Sequence, residues 1–194
     1  MMNSICVYCG SNAGKDAIYA QAARDTGRFL GESGCRLVYG GGRVGLMGVV
    51  ADAAIEAGGQ VTGIIPDFLH VREVAHGGVQ DLQIVSSMHE RKQLMADASD
   101  AFVALPGGIG TMEELFEIWT WAQLGRHKKP VGLLNINGYF DGLLEFLDNM
   151  TDEGFLMSKH RKMLLEASRI EDLIDGFESF TYPGVIASLE RDQT

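Results

Sequence analysis

The stretch AFVALPGGIGTMEEL, Ala101 to Leu115, runs from a short apolar segment through three glycines into an acidic one. Residues 101–105 read as a strand buried on both faces, because no polar residue interrupts them. Beyond Thr111 the apolar residues return at helical spacing, which predicts a helix over 111–125. The unit is strand, glycine turn, helix, and it recurs outward in both directions. Further strands are predicted at 4–8 (SICVY), 36–39, 60–65, 82–86 and 130–135, with a weaker one near 163–167. Helices are predicted over 17–33, 45–57, 88–99, 139–153 and 170–180.

Strand and helix alternating in this way means a mostly parallel sheet covered by helices on both faces. The expectation is an α/β fold, one Rossmann-like doubly wound domain over residues 1–194 with its core at about 3–180. A chain of 194 residues suits a single domain, and at that size a core stands without disulfides. The net charge of −10 argues against a nucleic-acid surface. The three cysteines, Cys6, Cys9 and Cys35, form no disulfide pattern. CVYC at 6–9 lies in and after a strand, not at a helix start where redox pairs sit, so reduced thiols and no metal are expected. No signal-peptide pattern and no run of about 20 apolar residues occurs, so a cytoplasmic protein without a membrane partner is expected.

In such sheets ligands gather beyond the carboxyl ends of the strands. Three glycine-bearing exits fall there: YCGS (8–11), YGGGRVGLMG (39–48) and LPGGIGT (105–111). Gly10, Ser11, Gly41, Gly42 and Gly45, with the 107–111 turn, would make a floor of backbone N–H groups for a phosphate. Gly40, Gly42 and Gly45 also spell G-x-G-x-x-G, but the acid that a dinucleotide site needs about 20 residues on is missing from QVTGIIP. Residues 66–81, carrying His70, Arg72, Glu73 and His76, read as a long irregular passage, functional or simply solvated.

Two helix starts carry more than capping requires. Thr111-x-x-Glu114 fits a capping box, and Glu113, Glu114 and Glu117 suit the positive end of a helix dipole. A cap does not explain PGGIG, because each extra glycine adds chain entropy for folding to overcome. Ser87-x-x-Glu90 is a second capping box, and it leaves Arg91 and Lys92 near a helix N-terminus where cations are disfavoured. An anion held there would offset that; a solvated basic pair is the plainer reading. Trp119 and Trp121 point to divergent faces, so one of them is a candidate for contact with a partner chain.

SMHERK followed by LPGGIGTMEEL resembles the paired signature of the Lonely Guy (LOG) family, cytokinin riboside 5′-monophosphate phosphoribohydrolases often mislabelled lysine decarboxylases. YGGGRVGLMG, VTGIIPDFL, REVAH, FEIWTWAQLGRHKKPVGLLN and GYFDGLLEFLD extend the resemblance over residues 3–180. It implies hydrolysis of the N-glycosidic bond of adenine-type nucleoside 5′-monophosphates, AMP among them, with no cofactor and no metal. It also implies Arg91 and Glu114 as the catalytic pair. Substrate contacts would come from Glu73, Lys92, Gly107, Gly108, Ile109, Gly110, Thr111, Met112, Glu113 and Thr120. A homodimer with its active site near the subunit interface is expected on the same ground. The chemistry agrees, since glycosidic cleavage builds positive charge that a carboxylate can stabilise. Arg91 is expected to orient Glu114 through a bidentate hydrogen bond. The rival readings are a nucleotide-binding module without turnover and, further off, an NAD(P)-dependent oxidoreductase. A lysine decarboxylase would need a buried Schiff-base lysine, and Lys92, Lys128 and Lys129 sit in charged segments.

Overall fold

All seven predicted strands form and join one sheet. A computed structural model describes residues 2–73 and 76–185, with residues 71–73 in backbone only. The strands are β1 (Ser4–Tyr8), β2 (Arg36–Tyr39), β3 (Val61–Pro66), β4 (Asp81–Val85), β5 (Ala101–Ala104), β6 (Val131–Leu134) and β7 (Leu164–Ala167). They lie in the order β4-β3-β2-β1-β5-β6-β7, and every pairing is parallel. The chain winds outward from β1 to β4 on one side, then crosses back to lay β5 against the other side of β1. The reversal opens a crevice above the carboxyl ends of β1 and β5, where the two glycine exits stand side by side.

Alternate residues of β1 serve two cores. Ile5 and Val7 pack among α1 (Ala17–Glu32), α2 (Gly45–Glu56) and α8 (Ile170–Glu178). Cys6 and Tyr8 face α4 (Met88–Asp97), α5 (Ile109–Gln123) and α6 (Asp141–Asp152) on the opposite side. Both faces being covered explains the uninterrupted apolar strands. The edge strand β4 departs from that rule: it is mostly exposed, and Asp81 there accepts from the Thr62 hydroxyl at 3.0 Å.

Three elements differ from the sequence reading. The passage 66–81 contains a helix, α3 (Asp67–Glu73), opened by the Asp67 carboxylate accepting from the Phe68 N–H at 2.6 Å. A four-residue helix, α7 (Ser158–Arg161), precedes β7. Helix α5 starts at Ile109, two residues before the predicted boundary, with Gly108 at the cap and no side-chain capping bond. Thr111 is therefore inside the helix, and its match to a capping box is coincidental.

The three thiols are free and buried, and burial pushes those of Cys6 and Cys9 well above the usual cysteine range and that of Cys35 to about 11. Trp119 is core, its indole N–H donating to the His160 carbonyl at 3.2 Å. Trp121 is half-buried with the Arg126 guanidinium 4.1 Å above its ring. No helix of the described residues is long and apolar enough to cross a membrane.

Candidate active site

Helix α4 is capped much as its sequence foretells. The Ser87 hydroxyl accepts from the Glu90 N–H at 3.2 Å. The Glu90 carboxylate reaches back one residue further than expected, to the N–H and hydroxyl of Ser86 at 2.8 and 2.7 Å. These bonds hold its carboxyl below the usual range. The cap fixes the first turn and so aims the next residue, Arg91, inward. Its side chain is only 9% exposed.

A buried guanidinium would ordinarily satisfy its five N–H donors within the protein. Arg91 does not. Its Nη2 lies 3.4 Å from the Gly40 carbonyl and 3.5 Å from Glu114 Oε1, Nη1 lies 3.7 Å from the Met88 sulfur, and among the described residues Nε has no hydrogen-bond partner. The expected bidentate bond to Glu114 is thus one long contact. A guanidinium so loosely held has donors left for the oxygens of a ligand.

Gly40 makes that placement possible, since a Cβ on it would stand 1.9 Å from Arg91 Nη2. Gly45, at φ +60, is pressed against the backbone of Ser11 and Asn12, which a Cβ would meet at 2.3–2.5 Å. Two glycines of the G-x-G-x-x-G match thus serve packing, Gly40 against Arg91 and Gly45 between the β1 and β2 exits. Gly41, Gly42 and Gly45 are not among the residues lining the cavity that Gly10 and Ser11 line, although Gly45 packs directly behind Ser11.

Gly108 and Gly110 are the opposite case. A Cβ on either would meet nothing within 4 Å among the described residues, so none of these demands glycine there. The first bond into α5 is from the Met112 N–H to the Gly108 carbonyl, at 3.2 Å. Among the described residues, the N–H groups of Ile109, Gly110 and Thr111 donate to no protein acceptor. Ile109 is 90% exposed beside them. Donors without acceptors, open space and the helix dipole suit an anion at this turn. Next to it lies a cavity of about 270 Å³, lined by residues 10–14, Tyr19, Leu46, Pro106, Gly107, Gly108 and Tyr139. Tyr19 and Tyr139 went unnoticed in the sequence, where no local pattern marks them.

Glu114 follows one turn into α5, its side chain 11% exposed. Burial pushes its carboxyl up to about 6, against the downward pull of Arg91. That is a carboxylate able to exchange a proton near neutral pH. Lys92 is held differently, by Glu113 at 2.5 Å and Glu117 at 3.0 Å. Partial burial opposes its charge, but those bonds outweigh it and the pKa rises. The Lys92 cation near the start of α4 is thereby balanced by carboxylates of α5 and needs no bound ligand to offset it.

The structure brings together Arg91, Lys92, Gly107–Glu114 and, across the crevice, Gly10 and Ser11. It does not bring Thr120, which is exposed six residues beyond Glu114, about 9 Å along the helix and roughly 120° around it. The Glu73 side chain lies outside the described residues. A larger hollow of about 520 Å³ between α1 and α8 carries Arg28 and Arg169, paired with Asp25 and Glu171 at the surface.

Residues 47–177 match a protein family described as possible lysine decarboxylase. A probable cytokinin riboside 5′-monophosphate phosphoribohydrolase of Oryza sativa subsp. japonica is 50% identical over 177 residues, 91% of this chain and 79% of that one. A cytokinin riboside 5′-monophosphate phosphoribohydrolase of Arabidopsis thaliana is 48% identical over 176 residues, 91% of this chain and 81% of that one. Among solved structures, the molybdenum cofactor binding protein of Rippkaea orientalis has the same fold, with a TM-score of 0.69 at 23% identity over 92% of this chain and 97% of that one. The decarboxylase description finds no support in the chemistry of Lys92, because a Schiff-base lysine needs a neutral amine and Lys92 is held protonated.

Proposed function

We propose, from the premise that this chain belongs to the Lonely Guy family, that it hydrolyses the N-glycosidic bond of adenine-type nucleoside 5′-monophosphates. The products are the free base and ribose 5-phosphate, and cytokinin riboside 5′-monophosphates and AMP are the substrates. The observation that carries the reading is a buried Arg91–Glu114 pair beside a helix start whose glycines face open space.

The 5′-phosphate would sit on the N–H groups at the start of α5, fixing the far end of the ribose and thereby C1′. As the bond from C1′ to the base nitrogen breaks, positive charge grows on the sugar. The Glu114 carboxylate stabilises that charge and takes a proton from the water whose oxygen bonds to C1′. The departing base gains a proton at nitrogen and Glu114 gives up the one it took, so one water is consumed and the protein is unchanged. Arg91 uses its free donors to orient Glu114 and the substrate oxygens. Lys92, Glu113, Met112 and Glu73 are proposed contacts at the edge of this site.

A homodimer is part of the proposal. Thr120 is exposed on the far side of α5 and Ile109 stands out at the turn, positions suited to a second copy's site. The deciding experiment incubates the protein with AMP and isopentenyladenosine monophosphate and quantifies free base by chromatography. Adenine or isopentenyladenine should appear with equimolar ribose 5-phosphate, and Glu114→Gln should abolish both. Tight nucleotide binding with no base released would make the protein a carrier instead.

A further inference from the structure

We propose that Tyr139 is a positioning residue for the phosphate turn: its hydroxyl fixes the Gly107–Gly108 peptide so that the Gly108 N–H faces the 5′-phosphate. The proposal rests on the reading above that the turn holds the phosphate.

Tyr139 Oη lies 2.6 Å from the Gly107 carbonyl oxygen. A carbonyl only accepts, so the phenol donates. Every described peptide bond is trans, and in a trans peptide the C=O and the following N–H point in opposite directions. Holding the Gly107 carbonyl toward Tyr139 therefore turns the Gly108 N–H away from it. Glycine on both sides of this peptide offers little steric resistance to rotation of its plane. A rotated plane would aim the Gly107 carbonyl at the anion and replace a donor by a repelling dipole. Something outside the turn must select between the two orientations, and among the described residues the only hydrogen bond on that carbonyl is the one from Tyr139.

The phenol is itself held in place. The Asn135 carboxamide accepts from the Phe140 N–H at 2.8 Å and donates to Asp141 Oδ1 at 2.7 Å, closing the turn that carries Tyr139. Asn137, at φ +53, is the one non-glycine residue with positive φ among those described, and it lies in the same turn. The Tyr139 ring meets Tyr19 and Phe140 edge-on, at centroid distances of 5.7 and 4.9 Å. Yet Tyr139 remains 45% exposed, so ring burial does not account for its position. A donor locked before the ligand arrives is how a binding dipole is pre-organised.

The test is Tyr139→Phe, which keeps the ring and removes the hydroxyl. Steady-state rates are measured with a nucleoside 5′-monophosphate and with the matching nucleoside, and ribose 5-phosphate affinity is measured by calorimetry. KM for the nucleotide and Kd for ribose 5-phosphate should both rise roughly tenfold, the effect of one neutral hydrogen bond. The value of kcat should stay within about twofold, the pattern of lost uniform binding. Activity on the nucleoside should not change. Unchanged nucleotide KM and ribose 5-phosphate affinity would overturn the proposal, as would equal losses on nucleotide and nucleoside. A wild-type protein that neither releases base nor binds ribose 5-phosphate would instead overturn the reading of the site.

Discussion

Replacing Glu114 with glutamine keeps the shape of a protonated carboxyl and removes its titration. In the fold, burial raises this carboxyl from an ordinary 4.5 to about 6. The folded chain then holds the proton more tightly than the unfolded chain does. As pH climbs from 4.5 to 6, the unfolded state releases its proton first and stability falls; above about 7 the loss is complete. The rise from 4.5 to about 6 corresponds to about 2 kcal/mol. The glutamine variant lacks this loss. It should match the wild type near pH 4 and be more stable by about 2 kcal/mol at pH 8, or about 4–8 °C in Tm for a chain of this length. Urea melts of both proteins from pH 4 to 8 measure the difference directly, and other titrating groups such as Glu90 cancel between them. Base release should vanish in the same variant. A variant less stable than wild type at pH 8, or a difference that does not change with pH, would refute the claim that burial works against this carboxylate. Such a result would mean that Arg91 compensates it fully in spite of the 3.5 Å separation.

Three further outcomes follow from the same geometry. Gly40→Ala places a Cβ where Arg91 Nη2 now sits; the fold should lose about 1–3 kcal/mol, and base release should fall at least tenfold because the displaced guanidinium no longer meets Glu114. Unchanged kinetics would show that Arg91 needs no such seat. Gly110→Ala puts a methyl into open space; stability should hold or rise by about 0.5 kcal/mol, while the nucleotide KM rises. A variant that is clearly destabilised yet keeps the wild-type nucleotide KM would reverse that assignment. Finally, kcat/KM should fall on the acid side of pH about 6 as Glu114 takes up its proton, and a flat profile from pH 5 to 7 would remove Glu114 as the working carboxylate.

What could be read from the sequence depended on whether a residue's environment is built by its neighbours in the chain. The inner strands were legible because burial on both faces leaves an uninterrupted apolar run, and the Ser87–Glu90 cap because its partners lie within four residues. Arg91 stood out for a local reason, a cation near a helix N-terminus, but the remedy was not local. Two carboxylates of α5 neutralise Lys92, and Gly40, 51 positions before Arg91 in sequence, makes room for the guanidinium. Thr111-x-x-Glu114 misled for the complementary reason. Its spacing matches a cap, yet the helix begins earlier because Gly108 can take the cap position with no side chain at all. That leaves Glu114 free of backbone duty and the N–H groups ahead of Thr111 without an acceptor. Had the threonine capped the helix, its hydroxyl would have filled the place an anion needs, and the carboxylate would have been drawn back to the threonine N–H instead of toward Arg91. The vacant cap and the buried acid are thus two consequences of one choice of helix start, which is why substituting the glycines and substituting Glu114 should damage different steps of the same reaction.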